Sequence, residues 1–127
     1  MAFACPKCSI DDSLVIVIAI ELAPDSRSDE ISLQILRCSN CGFRGLAVYE
    51  ESRRGALDSE AWEHTGYQVE EDVVNTIAGL IDHCPDRNNN DCPCESHRKL
   101  GQHEENGRWN GIEKYEMKSM FPLSKKV

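Results

Sequence analysis

Seven cysteines in a chain of 127 residues are the side chains best suited to chemistry. Four of them form two C-x2-C pairs, Cys5/Cys8 and Cys38/Cys41, with 29 residues between the pairs. Two intervening residues let both sulfurs of a pair reach one ion, while backbone amides of the turn offset part of the thiolate charge. Four such ligands complete a tetrahedron and leave no position open for water. The spacing therefore predicts a structural metal site.

The remaining three cysteines predict a second site of the same kind. They follow the pattern C-x7-C-x-C-x2-H, and three cysteines with one histidine are a frequent ligand set of structural zinc sites. The expected ligands are Cys84, Cys92, Cys94 and His97. The two sets together use every cysteine. His83 and His103 are alternative fourth ligands, but His83 adjoins Cys84 and would project from another side of the helix expected there.

Other interpretations of these cysteines stay open. Cys84 would lie on the apolar face of a helix and could be a core residue, which would leave Cys92 and Cys94 as an exposed redox-active pair. A tetrahedral site of four sulfurs suits iron as well as zinc. We expect two Zn²⁺ per chain, with iron at the site of four cysteines as the alternative.

The two C-x2-C pairs resemble the zinc ribbon family, in which two cysteine knuckles are joined by a β-hairpin. The resemblance covers residues 3–50 and implies Zn²⁺ held by the four cysteines of those pairs. Two features depart from the family pattern. Ser9 follows Cys8 where the family often has glycine, and the gap exceeds the usual separation of about 15–20 residues. Family members often contact nucleic acid or dock on large assemblies such as polymerase and ribosome, and the resemblance implies only that range of partners.

Three extended segments must position the first site. Leu14–Leu22 is rich in β-branched residues on both faces, which is typical of a strand covered on both sides. Ile31, Leu33 and Ile35 alternate with polar residues, as in a half-buried strand. Phe43–Glu50 follows the second cysteine pair, with Phe43, Ala47 and Tyr49 on one face and Leu46 and Val48 on the other. The sequence therefore predicts a three-stranded antiparallel sheet.

One amphipathic helix is expected to cover this sheet. Apolar residues recur at helical spacing between Val69 and Cys84, with acidic residues in the first turn. The residues on this face are Val69, Val73, Val74, Ile77, Leu80, Ile81 and Cys84. A helical turn over Leu57–Trp62 and a short helix beyond Ser96 are weaker expectations.

The predicted architecture is a small α+β protein. Residues 1–50 form a zinc ribbon, and residues 51–127 supply the helix and the second zinc-binding segment, all within one compact unit. The first residues have neither a basic segment nor a long apolar run, so no secretory signal is expected. Leu14–Leu22 is far shorter than the roughly 20 residues of a membrane-spanning helix. Without secretion the thiols stay reduced, and we expect a cytoplasmic location.

The sequence favours a non-catalytic protein. Asp58, Glu60, Glu63 and His64 cluster in sequence and could in principle perform acid–base chemistry, but such charge runs are usually solvated faces. The chain has neither a glycine-rich phosphate loop nor a nucleophile motif. Catalysis is therefore not expected.

The charge distribution favours a protein partner. The net charge is −8; residues 1–95 hold 7 basic and 18 acidic side chains, net −11, and residues 96–127 hold 7 and 4, net +3. So acidic a chain is a poor general binder of phosphate backbones. Nucleic acid is the alternative partner and a zinc-thiolate redox sensor a further alternative function. The basic residues available to nucleic acid are Arg37, Arg44, Arg53, Arg54, Arg98, Lys99, Lys125 and Lys126.

Overall fold

A computed structural model describes residues 2–52 and 61–123 of the chain. Within these ranges six strands form one antiparallel sheet, and neighbours in the sheet follow one another in sequence. The strands are β1 Ala2–Phe3, β2 Leu14–Leu22, β3 Glu30–Cys38, β4 Arg44–Ser52, β5 Ala61–Gln68 and β6 Ser119–Pro122, and the helices are α1 Glu71–His83 and α2 Glu95–Leu100. The expected α+β class is confirmed. Neither described helix is long and apolar enough to span a membrane.

The expected three-stranded sheet is wrong, because β1, β5 and β6 extend it to six strands among the described residues. β5 contains Trp62, which the sequence placed in a helical turn starting at Leu57; residues 57–60 lie outside the described ranges. Tyr49 on β4 pairs with His64, and Ala47 pairs with Gly66. Each face of β5 carries both polar and apolar residues, so the sequence of β5 does not show the alternation of polarity that predicts a strand.

One face of the sheet packs against α1. Val74, Ile77 and Ile81 are the buried residues of this helix, and they belong to the same apolar cluster as the central strands. The cluster members on the strands are Ile20, Leu22, Ile31, Leu33, Ile35, Leu46 and Val48. Burial of these side chains provides the main apolar stabilisation on this face.

The opposite face of the sheet carries a second, smaller apolar cluster. Leu14, Leu36 and Ala47 contribute from β2, β3 and β4, and Phe3 of β1 and Leu123 just beyond β6 join them. β1 and β6 are the two edge strands of the sheet, yet Phe3 and Leu123 belong to one apolar cluster. The sheet must therefore curl towards this face. The curl creates a recess whose lining is considered below.

A bulge interrupts β2 at Val17. The register against β3 shifts between Ile16 and Ile18, and Val17 is left 54% exposed. A bulge inserts one residue without a partner and changes which face the following residues occupy. Ile16 therefore lies on the opposite face of the sheet, whereas Ile18 packs against the α1 cluster. The apolar core residues of β2 before the bulge thus pack on the face opposite α1, and those after the bulge pack on the same face as α1.

A buried carboxylate joins the β2–β3 connection to the carboxy-terminal segment. The Asp25 side chain is fully buried and accepts hydrogen bonds from the N–H groups of Arg27 at 2.8 Å, Ser28 at 2.6 Å and Trp109 at 2.8 Å. The guanidinium of Arg108 donates to Oδ2, the same oxygen that accepts the N–H of Trp109. Burial acts to raise the pKa of Asp25, but these donors outweigh it and hold the pKa below its usual value.

Removing this carboxylate should destabilise the fold. We expect Asp25→Ala to lower the free energy of unfolding by about 3 kcal/mol at neutral pH, because it leaves buried N–H donors unpaired and leaves Glu50 as the remaining carboxylate partner of the Arg108 guanidinium. The effect should shrink as pH falls through the lowered pKa, because protonation removes the same charge from the wild type. Urea unfolding at several pH values measures both the loss of unfolding free energy and its pH dependence. Asp11→Ala, at an exposed position, is the control. Equal losses for the two variants would contradict the assignment.

Candidate metal centres

The four cysteines of the two C-x2-C pairs come together in one cluster. Cys5 Sγ lies 3.7 Å from Cys41 Sγ, and Cys8 Sγ lies 3.7 Å from Cys38 Sγ. All four sulfurs lie within 4.8 Å of one another. Four sulfurs held about 2.3 Å from one ion at the corners of a tetrahedron are about 3.8 Å apart. The cluster therefore fits one metal ion and is compatible with zinc-ribbon-like knuckles.

Both cysteine turns have the same backbone conformation. In each, the N–H of the first cysteine donates to the carbonyl five residues further on, at 3.2 Å and 2.7 Å. The N–H of the residue after the second cysteine donates to the carbonyl of the first, at 2.9 Å and 3.1 Å. That residue is Ser9 in one turn and Gly42 in the other, with φ of 64° and 77°. The serine that departs from the family pattern therefore adopts the left-handed conformation that glycine occupies more readily.

Backbone N–H groups of the second turn favour a thiolate. Burial acts to raise the pKa of Cys38, but the Cys41 N–H, the side-chain hydrogen bond with Ser13 and the Asn40 N–H lower the pKa to about 6; the two N–H groups each lie 3.4 Å from its Sγ and Ser13 Oγ lies 3.3 Å from it. The Phe43 N–H acts to lower the pKa of Cys41, yet burial and the neighbouring sulfurs raise it to about 11. Crowded thiols ionise unequally without a cation, and a bound divalent ion would stabilise all four thiolates.

The second set of ligands also forms a cluster. Cys84 Sγ lies 3.8 Å from Cys92 Sγ, 3.4 Å from Cys94 Sγ and 3.2 Å from Nδ1 of His97. Cys94 Sγ lies 3.2 Å from the same nitrogen. The four ligand atoms lie within 4.8 Å of one another, so they too fit one metal ion. His83 and His103 are not part of this cluster.

Helix ends position the ligands of the second cluster. Cys84 is the residue at which α1 ends, and Cys94 caps the start of α2 by accepting the N–H of His97 at 3.3 Å. Burial acts to raise the pKa of Cys94, but this N–H and the His97 ring lower it to about 6, whereas burial raises the pKa of Cys84 to about 11. The two helices thus meet at the centre, which is buried except at Cys94.

A backbone carbonyl orients His97. Its Nε2 lies 2.8 Å from the carbonyl oxygen of Glu21 and donates to it, which leaves Nδ1 free of a proton and directed at the cysteines. The N–H of Glu21 donates to the carbonyl of Arg87 at 2.8 Å, in the loop between Cys84 and Cys92. The second centre therefore satisfies both backbone groups of Glu21 on the edge of β2, where β1 no longer pairs. No side-chain type marks this carbonyl in the sequence.

Of the four residues considered for acid–base chemistry, the two that the structure describes do not face each other. Glu63 and His64 are consecutive in β5, so their side chains lie on opposite faces of the sheet. Glu63 Oε2 lies 3.0 Å from Arg27 Nη2, and both side chains are exposed. Asp58 and Glu60 fall outside the described residues.

The arginines considered for nucleic acid are only partly available. Arg37 and Arg44 lie directly opposite each other on β3 and β4. Arg44 Nη1 donates to Asn75 Oδ1 at 2.7 Å and lies 3.9 Å from Glu71 Oε1, so α1 engages its guanidinium. Arg37 is exposed. The basic residues outside the described ranges are Arg53, Arg54, Lys125 and Lys126.

No protein-family model matches the chain, and neither a curated protein nor a solved structure shows significant similarity to it. The interpretation of both centres therefore depends on their ligands and geometry.

The equivalence of the two turns can be tested with a reciprocal pair of substitutions. Ser9→Gly should stabilise the metal-loaded protein by about 1 kcal/mol, because it removes the cost of a side chain at positive φ. Gly42→Ala should destabilise it by about the same amount, since a Cβ there meets no atom within 4 Å and backbone conformation alone decides the effect. Thermal and urea unfolding measure both. Changes of the same sign would contradict the equivalence.

Proposed function

We propose that this chain is a non-catalytic zinc-binding protein whose two ions are structural, and that it acts as a protein interaction module. The observation that carries the proposal is the closure of both ligand sets: each contains four protein ligands at mutual distances that fit one ion. Catalytic zinc sites usually have three protein ligands and leave a position for water or substrate. A complete set of four favours a structural role.

The ligand types favour zinc over other metals. Three thiolates with one imidazole are a frequent structural zinc set, and the same ion suits four thiolates. Iron at the Cys5/Cys8/Cys38/Cys41 cluster is the alternative, since tetrahedral sulfur ligands suit both metals.

A structural role also fits what each ion would join. The first cluster contains the turn before β2 and the turn between β3 and β4. The second contains the end of α1, the start of α2 and the loop between them, whose residues 85–91 are mostly exposed. This loop contributes few apolar contacts, and metal binding can supply the free energy that orders it.

Metal content and unfolding test this role together. Purified full-length protein should contain two zinc ions per chain by elemental analysis, whereas Cys38→Ala and His97→Ala should each contain one. His103→Ala, which removes a histidine outside both clusters, should keep two. Chelation of both ions should abolish the cooperative thermal transition. A chelated protein that kept its cooperative transition would overturn the structural role, and iron found in place of zinc would correct the metal assignment.

The electrostatics support a protein partner over nucleic acid. The chain carries a net charge of −8, and the guanidinium of Arg44 is engaged by Asn75 and lies near Glu71. Trp62 and Met120 are 54% and 69% exposed, and both line one depression on β5 and β6. Exposed apolar residues grouped on one surface are typical of protein interaction sites.

Retention of nucleic acid at low salt separates the two kinds of partner. We expect the zinc-loaded protein to retain neither DNA nor RNA at about 50 mM salt, and to capture protein partners from nuclease-treated extracts of its source cells. Retention that falls steeply with salt and is weakened by Arg37→Ala, but not by Arg27→Ala, would favour the nucleic-acid alternative instead. Filter binding and mass spectrometry of captured material provide the two measurements.

A further inference from the structure

A cavity of about 370 Å³ lies on the face of the sheet opposite α1. We call it the sheet cavity, and the described residues that line it are Phe3, Ile16, Gln34, Tyr49, Trp62, His64 and Leu123. Both edges of the curled sheet contribute, through Phe3 and Leu123. Its volume falls in the range of about 300–1,000 Å³ that is typical of small-molecule sites. Neither metal cluster contributes a ligand to this lining.

The described lining of the sheet cavity is mostly apolar, with one polar pair, Gln34 and His64, and the hydroxyl of Tyr49, which donates to Glu51 Oε2 at 2.9 Å. None of these lining residues has an acidic side chain or a lysine or arginine. Burial lowers the pKa of His64 and so favours the neutral imidazole. A charged ligand would lose its hydration without gaining a charged partner from these residues, which is costly. The lining therefore favours a neutral ligand.

The polar pair fixes the tautomer of His64. Gln34 Nε2 donates to Ser32 Oγ at 3.3 Å, which directs the amide oxygen of Gln34 at His64. Its Oε1 lies 2.6 Å from Nε2 of His64, so Nε2 must carry the proton. The neutral ring then leaves Nδ1 as an acceptor. Nδ1 has no hydrogen-bond partner within residues 2–52 and 61–123. Nδ1 of His64, a residue that lines the sheet cavity, is thus left as an acceptor for a ligand.

Aromatic rings form one wall of the cavity. The Tyr49 and Trp62 rings are stacked, with centroids 6.4 Å apart and planes 26° apart. Phe3 and Tyr49 each contact the His64 ring edge to face, with centroids at 5.1 Å and 5.6 Å. Trp62 is 54% exposed despite its size. A planar aromatic ligand could cover the exposed indole, and aromatic contacts contribute beyond the apolar area that they bury.

We propose that the sheet cavity binds a neutral, planar aromatic group with a ring N–H, of which indole is the simplest, placed against Trp62 and donating its N–H to Nδ1 of His64. The group could belong to a free heteroaromatic compound or to a tryptophan side chain of a polypeptide. This inference goes beyond the proposed structural role of zinc and does not depend on it.

A pair of probes of similar shape tests the hydrogen bond. The zinc-loaded full chain is titrated with indole and with benzothiophene, which lacks the N–H, and binding is followed by NMR shifts of Trp62 and of the Gln34 side-chain amide. We expect indole to bind about tenfold more tightly, the effect of one hydrogen bond of about 1.4 kcal/mol. Equal affinities would overturn the proposal without any need for a variant.

Three variants locate the site. Trp62→Ala should lose most of the affinity for indole, and His64→Phe should keep an aromatic wall but lose the preference for indole over benzothiophene. Val17→Ala is the matched control, because Val17 is 54% exposed, as Trp62 is, and lines neither the sheet cavity nor the neighbouring depression. Circular dichroism and zinc content establish that each variant is folded. Indole binding that is unchanged in folded Trp62→Ala would overturn the assignment.

A capped Gly-Trp-Gly tripeptide and free indole distinguish the two sources of the ligand. Tighter binding of the tripeptide supports a polypeptide as the source, and tighter binding of indole supports a small molecule. Failure of both to bind at millimolar concentration, or stronger binding of the cation benzyltrimethylammonium, would refute the proposal. Because zinc content is measured on the same samples, this failure is distinct from a failure of the structural-zinc assignment.

Discussion

Mutual repulsion among closely spaced thiolates is the constraint that governs this structure. Each cluster holds four ligand atoms within 4.8 Å, and such crowding is stable with all thiols ionised only around a cation. The two sets of metal ligands lie on different faces of one sheet. Cys5 and Cys38 belong to the apolar core that includes Phe3 and Leu123, whereas Cys84 and Cys92 belong to the apolar core that includes residues of α1. Each apolar core therefore contains part of a candidate metal centre, and loss of a bound ion would disturb the packing beside it.

The ligands were accessible to sequence reasoning because their signal is local. Two residues between Cys5 and Cys8 already specify a turn, and the leftover cysteines identify the second set by elimination. The helix over Glu71–His83 was equally accessible, since apolar residues recur over several turns. β5 was not, because Trp62, His64 and Gly66 share no common polarity; their place on one face emerges only from pairing with β4. β6 likewise depends on pairing with β5, which ends at Gln68, far earlier in the chain than the start of β6 at Ser119.

The contacts that orient the ligands of the second cluster have no signal in the sequence. The carbonyl of Glu21 orients His97, and any residue at that position would offer the same oxygen. Its location follows from the distance along β2 and from the length of the loop after Cys84, which are properties of the assembled fold. Ser9 shows the reverse situation. Its departure from glycine was visible in the sequence, but only the backbone, with φ of 64°, shows that the turn keeps its shape despite the substitution.

Contacts made by the second ligand cluster and its loop cover the outer edge of β2. β2 pairs with β1 only at Leu14 and Val15, so the later part of its outer edge would otherwise present unpaired backbone groups to another chain. The loop that follows Cys84 accepts the N–H of Glu21, and His97 donates to its carbonyl. A short, polar loop has too little apolar area to remain against that edge by itself. Metal ligation at Cys84, Cys92 and Cys94 would fix both ends of the loop, and so the interaction proposed to order the loop would also protect the edge from pairing.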